Sequence, residues 1–190
     1  MIRIGCIVEG QGEVQAVPVL LRRMLYERHA GVSFELLPPL RGKRSRLVLP
    51  GELERAVDLL ASLVGPDGRM LVLLDADEDC PKELAPHLLG RARRARPDRC
   101  VEVVLATMEF ENWFHAALTS LRGVRGLPMD VEDAHSPEMI RGAKERLVGL
   151  MGYSPTIDQA ALTARMDLER ARRAPSFDKL CRAVEALIAG

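Results

Sequence analysis

Aromatic residues are scarce, at 4% of the chain with a single tryptophan. That argues against a nucleic-acid platform built on stacked rings and leaves the core to aliphatic side chains. Net charge is also lacking. The 27 basic and 27 acidic residues cancel, which excludes a polyanion binder driven by overall charge and leaves only local segregation. Cys6, Cys80, Cys100 and Cys181 form no CxxC pair, so neither a zinc site nor a disulfide framework is indicated. With no signal peptide visible they read as reduced thiols of a cytoplasmic protein. No apolar run approaches the length of a membrane span; Val101 to Met108 is among the longest.

What the chain does have is alternation. Ile2 to Val8 is an apolar run that ends in Glu9-Gly10-Gln11-Gly12-Glu13, and helical spacing follows to about His29. Val32 to Leu40 reads as a second strand closed by Pro38-Pro39, and the basic segment from Arg41 to Arg46 as an exposed loop. A helix over Glu52 to Val64 leads to a buried strand over Met70 to Leu74. A helix from Pro81 to about Arg96 leads to a last strand over Val101 to Thr107. Strands separated by helical crossovers predict an α/β fold, with a four-stranded parallel sheet and helices on both faces.

Beyond Glu109 the alternation stops. Gly123 to Pro137 reads as a long loop, followed by helices over about Pro137 to Met151, Thr156 to Arg173 and Ser176 to Ile188, the last two capped by Thr and Ser. The expected division is an α/β core over residues 1–120 and a C-terminal helical extension over 121–190, packed on it through Trp113 and Phe114.

Acids follow three of the four strands: Glu9 the first, Asp75 and Asp77 the third, Glu109 and Glu111 the fourth. Ligands of open parallel sheets gather outside the strands' carboxyl ends. In an extended segment residues i and i+2 share a face, so Asp75 and Asp77 can present both carboxylates to one cation. Converging carboxylates repel, and a hard divalent cation, Mg²⁺ or Mn²⁺, keeps them ionised. The competing explanation is ordinary capping of helix N-termini by acids.

Val8-Glu9-Gly10 with Leu73-Leu74-Asp75-Ala76-Asp77 resembles the Toprim signature of topoisomerases, primases and OLD-type nucleases. Glu9 to Glu13, Leu74 to Asp77, Glu109-Phe110-Glu111-Asn112-Trp113-Phe114, Ala164 to Glu169 and Ser176-Phe177 together resemble a bacterial Toprim-like family catalogued as domain of unknown function 4276. The resemblance implies that Glu9 acts in acid/base chemistry and that Asp75 and Asp77 hold Mg²⁺. It also implies Glu13 as a further catalytic acid, and Glu109 or Glu111 at a second metal. The implied activity is a Mg²⁺-dependent nuclease or related phosphoryl-transfer protein, with phage defence as its expected setting. OLD proteins fuse an ATPase to this module and this chain has none, so a separate ATPase partner is expected. The alternative is a non-catalytic module that docks on such a partner through its helical tail.

Lys43, Arg44 and Arg46 are the candidates for contact with a nucleic-acid backbone, against a plain solvated loop. Lys144, Lys179 and the hydroxyls of Ser154 and Thr156 are further phosphate candidates, set against surface lysine and helix capping. His115 lacks any partner motif.

Overall fold

The computed structural model describes residues 1–189. Five strands form one parallel sheet: β1 (Ile2–Val8), β2 (Phe34–Leu36), β3 (Leu40–Arg41), β4 (Arg69–Asp75) and β5 (Cys100–Ala106). Their order is β2-β1-β4-β5, and β3 also pairs with β1. β2 pairs with Ile2 to Ile4 of β1, and β3 with Ile7 and Val8. The two short strands are thus the expected second strand, interrupted. Pro38 and Pro39 carry no N–H and cannot continue the ladder, which resumes where the Gly42 amide donates to Val8 O at 2.9 Å.

Period-two patterning sorts the sheet into two apolar layers. Ile4, Cys6, Val8, Leu71, Leu73, Val104 and Ala106 join the layer under α1 (Gln11–Arg28) and α9 (Pro175–Ala189). Ile7, Met70, Val72, Leu74, Val101, Val103 and Leu105 join the layer under α3 (Glu52–Val64) and α4 (Pro81–Ala95). Helices therefore cover both faces. The basic segment is not a simple exposed loop, because a single helical turn, α2 (Arg44–Leu47), buries Leu47 in the second layer.

The tail returns across the first layer as α5 (Asn112–Ala116), α6 (Ala143–Met151), α7 (Pro155–Arg165), α8 (Leu168–Ala171) and α9. The expected first tail helix is cut short by Gly142, which takes φ 64° as the N-cap of α6. The second is broken at Met166, after which the Asp167 carboxylate accepts from Arg170 N and starts α8. Ser176 does not cap α9. It lies inside the helix, where its Oγ accepts from Trp113 Nε1 at 2.8 Å and from Thr107 N at 3.3 Å. Trp113 and Phe114 are fully buried, and Trp113 meets Phe177 edge-on at 5.2 Å. Residues 127–136 are irregular as expected, yet Leu127 and Val131 reach the core.

α1 and α7 lie backbone against side chain at Gly12. A Cβ there would stand 2.6 Å from Pro155 O and would also strike Gln159. Gly149, exposed on α6, has nothing within 4 Å of a Cβ. Gly12→Ala is expected to lower unfolding free energy by about 1–3 kcal/mol through overpacking. Gly149→Ala should raise it by about 0.5–1 kcal/mol through helix propensity. Urea denaturation followed by the fluorescence of Trp113 measures both, and a neutral Gly12→Ala would contradict the close approach.

Candidate active site

The chain leaves β1 toward β2 on one side and returns to β4 on the other, so the strand order reverses between β1 and β4. Such a switch point opens a crevice at the carboxyl ends of the two strands. Glu9 follows β1 and Asp75 ends β4 at this crevice.

Backbone geometry fixes each acid differently. In the turn after β1, Glu13 Oε2 accepts from Glu9 N at 2.9 Å and from Gly10 N at 3.3 Å, so the buried Glu13 holds the turn that presents Glu9. Asp75 Oδ1 accepts from Phe110 N at 2.9 Å, which ties the end of β4 to the turn after β5. The same two turns are joined by Asp77 N donating to Met108 O at 3.0 Å. Asp77 and Met108 have φ of 50° and 62°, left-handed conformations that cost non-glycine residues energy and cluster at functional sites. The extended i, i+2 geometry expected for Asp75 and Asp77 therefore does not hold. β4 ends at Asp75, and Asp77 turns out to the exposed rim.

After β5, Glu109 Oε2 accepts from Lys144 N at 3.0 Å and Glu111 Oε1 from Tyr153 OH at 2.9 Å. Buried Asn112 fastens this turn: its Oδ1 accepts from Glu109 N, and its Nδ2 donates to Pro137 O and Ile140 O.

These groups line one cleft of about 570 Å³. Glu9, Glu13, Asp75, Asp77, Glu109 and Glu111 share its lining with Gln11, Lys144, Ser154, Thr156 and Gln159. Burial pushes the Glu13 carboxyl up to about 7, and the neighbouring Glu111 and Glu9 carboxylates push the same way. Asp75 is raised well above its usual range by burial and then by Glu13, Glu111 and Glu9. Glu111 is raised by burial, against the Tyr153 hydrogen bond, which lowers it. Glu9 is raised by burial, opposed by a hydrogen bond from the Arg44 backbone N–H.

All five acids singled out as metal ligands thus line one space, together with Glu13. Their oxygens are the hard donors that suit Mg²⁺ or Mn²⁺. Among the described residues, however, no three His, Cys, Asp or Glu side chains form a ready-made cage for a metal ion.

Of the basic candidates, Arg44 reaches the rim. Its guanidinium pairs with Asp77 at 3.4 Å and with Asp79. Arg46 pairs with Glu52 on the solvent side, and Lys43 is exposed. Lys144, Ser154 and Thr156 lie in the cleft, whereas exposed Lys179 on α9 is not among its lining residues. His115 is buried with Nε2 2.9 Å from Ala143 O, a structural contact. Sequence reasoning missed Gln159 and the fastening role of Asn112. The one signal for Gln159 is its position a helical turn after Pro155 and Thr156, on the face that meets Gly12.

A model of a domain of unknown function (DUF4276) matches residues 8–185. The chain belongs to that family. No curated protein and no solved structure matches it. The family match runs from the last residue of β1 into α9, so the strand-end acids and the tail side chains of the cleft belong to one DUF4276 unit.

Glu13 is raised from 4.5 to about 7 in the folded chain, so the folded state keeps a proton that the unfolded state has released. Its contribution to stability is complete below about pH 4.5 and is lost as pH rises through about 7. In EDTA, the unfolding free energy is expected to fall between about pH 5.5 and about pH 8, by on the order of 2 kcal/mol from this group. Glu13→Gln should flatten that fall. A variant with the same pH dependence as wild type would show that Glu13 is not the group responsible.

Proposed function

We propose that this DUF4276 protein is a Toprim-like, Mg²⁺-dependent phosphodiesterase that cleaves nucleic acid. The observation that carries this reading is the meeting of Glu9, Asp75, Asp77, Glu109 and Glu111 in a single cleft at the topological switch point, with Lys144 in the same lining. A structural protein gains nothing from placing Glu9, Glu13, Asp75 and Glu111 where burial and neighbouring carboxylates raise their pKa values.

Mg²⁺ keeps several waters and is held by one or two carboxylates together with substrate phosphates, so this reading requires no complete protein cage. Asp75 at the floor and Asp77 at the rim are the residues to hold it, and Glu109 and Glu111 lie where a second ion would be held. When bound, such an ion lowers the pKa of an attacking water and neutralises charge on the phosphoryl oxygens. Glu9, half-buried with a raised pKa, is suited to take and return a proton. Lys144 offsets negative charge on the substrate from the α6 side. Lys43 and Arg46, exposed beside Arg44, extend a cationic edge along which a nucleic-acid backbone is tracked. On the resemblance to OLD-type nucleases, the reading extends to a partner ATPase and a role in phage defence.

Calorimetric titration of Mg²⁺ and Mn²⁺ is expected to show binding to wild type and its loss in Asp75→Asn/Asp77→Asn. Glu9→Gln should still bind metal while cleavage of single- or double-stranded substrates drops about 10²–10⁴-fold, the usual worth of general acid–base catalysis. Metal binding unaffected by the double substitution, or full cleavage by Glu9→Gln, would refute the assignment.

A further inference from the structure

One wall of the cleft plays no part in holding the acids. It is the first turn of α7, where Ser154 is the N-cap, Pro155 the first helical residue and Thr156 the next. Pro155 has no N–H, and the amides of Ile157 and Asp158 both turn back to Ser154 O, at 3.0 and 2.8 Å. The Thr156 amide is left as the turn's one first-row donor without a protein acceptor. Its hydroxyl and that of Ser154 stand 3.3 Å apart. The acid on this turn is already spent: Asp158 pairs with Arg125 Nε and accepts from Ser154 N, both at 2.8 Å.

Gln159 supplies an independent observation. It is 2% exposed, lines the cleft, and its side-chain amide has no hydrogen-bond partner among the described residues. Its polar atoms are not among the fully enclosed orphans of the structure, so the amide opens on the cleft and is free to meet a bound group or water there. Gly12 is required for it to sit there, since any Cβ at that position would strike the Gln159 amide. An unpaired amide, two hydroxyls and a free helix N-terminal amide on one wall are donors suited to an oxyanion.

We propose that this wall is a phosphate subsite, in which Ser154, Thr156 and Gln159 hold a phosphate group of the nucleic-acid substrate across the cleft from the carboxylates. The subsite rests on the proposed metal-dependent reading, because a phosphate facing Glu9, Glu13 and Asp75 is repelled until a divalent cation lies between them. Phosphate and cation therefore strengthen each other's binding by the same factor.

The test is calorimetric titration of inorganic phosphate into the full chain with saturating Mg²⁺, for wild type, Thr156→Val, Gln159→Met and the control Ile157→Ala, whose side chain is exposed on the same turn. Phosphate affinity is expected to fall about tenfold in Thr156→Val and Gln159→Met, the worth of a hydrogen bond to a charged acceptor. Ile157→Ala should match wild type, and Mg²⁺ affinity measured without phosphate should be the same in all four. Equal phosphate affinity in the four proteins, or no phosphate uptake by a wild type that binds Mg²⁺, overturns the subsite and leaves the metal centre standing. A wild type that does not bind Mg²⁺ overturns the reading beneath it.

Discussion

Like charges repel most where water is excluded, and the carboxyls of Glu13, Asp75 and Glu111 are gathered in just such a place. Each has partial compensation from a neutral donor: two backbone amides for Glu13, the Phe110 amide for Asp75 and the Tyr153 hydroxyl for Glu111. None of the three is paired with a cation. Arg44 turns to Asp77 and Asp79 at the edge, and Lys144, in the cleft lining, only partly offsets Glu111. The rest of the molecule can be understood as the frame that holds this deficit of positive charge open. Two apolar layers fix the strands, and the turns at the strand ends are cross-linked so that the acids cannot move apart.

That frame depends on the tail as much as on the sheet. Glu109 is set by the Lys144 amide, Glu111 by Tyr153, and the turn between β5 and α5 by Asn112 reaching to Pro137 and Ile140. Ser176 on α9 receives both the Trp113 indole and the Thr107 amide, so the last helix anchors the turn that carries the acids. A tail built only as a docking appendage would have no reason to contribute Lys144, Ser154, Pro155, Thr156 and Gln159 to the cleft lining. Its large apolar side chains outside the core, Met129, Met139, Val148, Leu150 and Ile157, lie exposed.

Strands β1, β4 and β5 were legible because both their faces are buried, which writes them as near-continuous apolar runs. The acids after them were legible because chemistry at a strand end falls within a few residues of the run. What sequence patterning blurred were points where one residue overrides a periodic signal. Pro38-Pro39 splits one strand into two that still share an edge of β1, Gly142 delays a helix by half a dozen residues, and Asp167 restarts one that periodicity would have carried through. Gln159 was illegible for another reason. A glutamine inside a helix reads as a surface residue, and only the glycine opposite it on α1 lets that face approach closely enough to bury it.

The left-handed pair Asp77 and Met108 shows how local strain serves the same charge problem. Aspartate tolerates this conformation better than methionine does, and the bridge between them keeps both in place through a single backbone hydrogen bond at 3.0 Å. Had β4 continued in extended form, Asp77 would have pointed with Asp75 onto the floor and added another carboxylate to a space already crowded with them. The kink sends it to the rim, where Arg44 shields it. One acid of the pair therefore stays at the floor with its carboxyl raised, and the other is exposed and paired with Arg44.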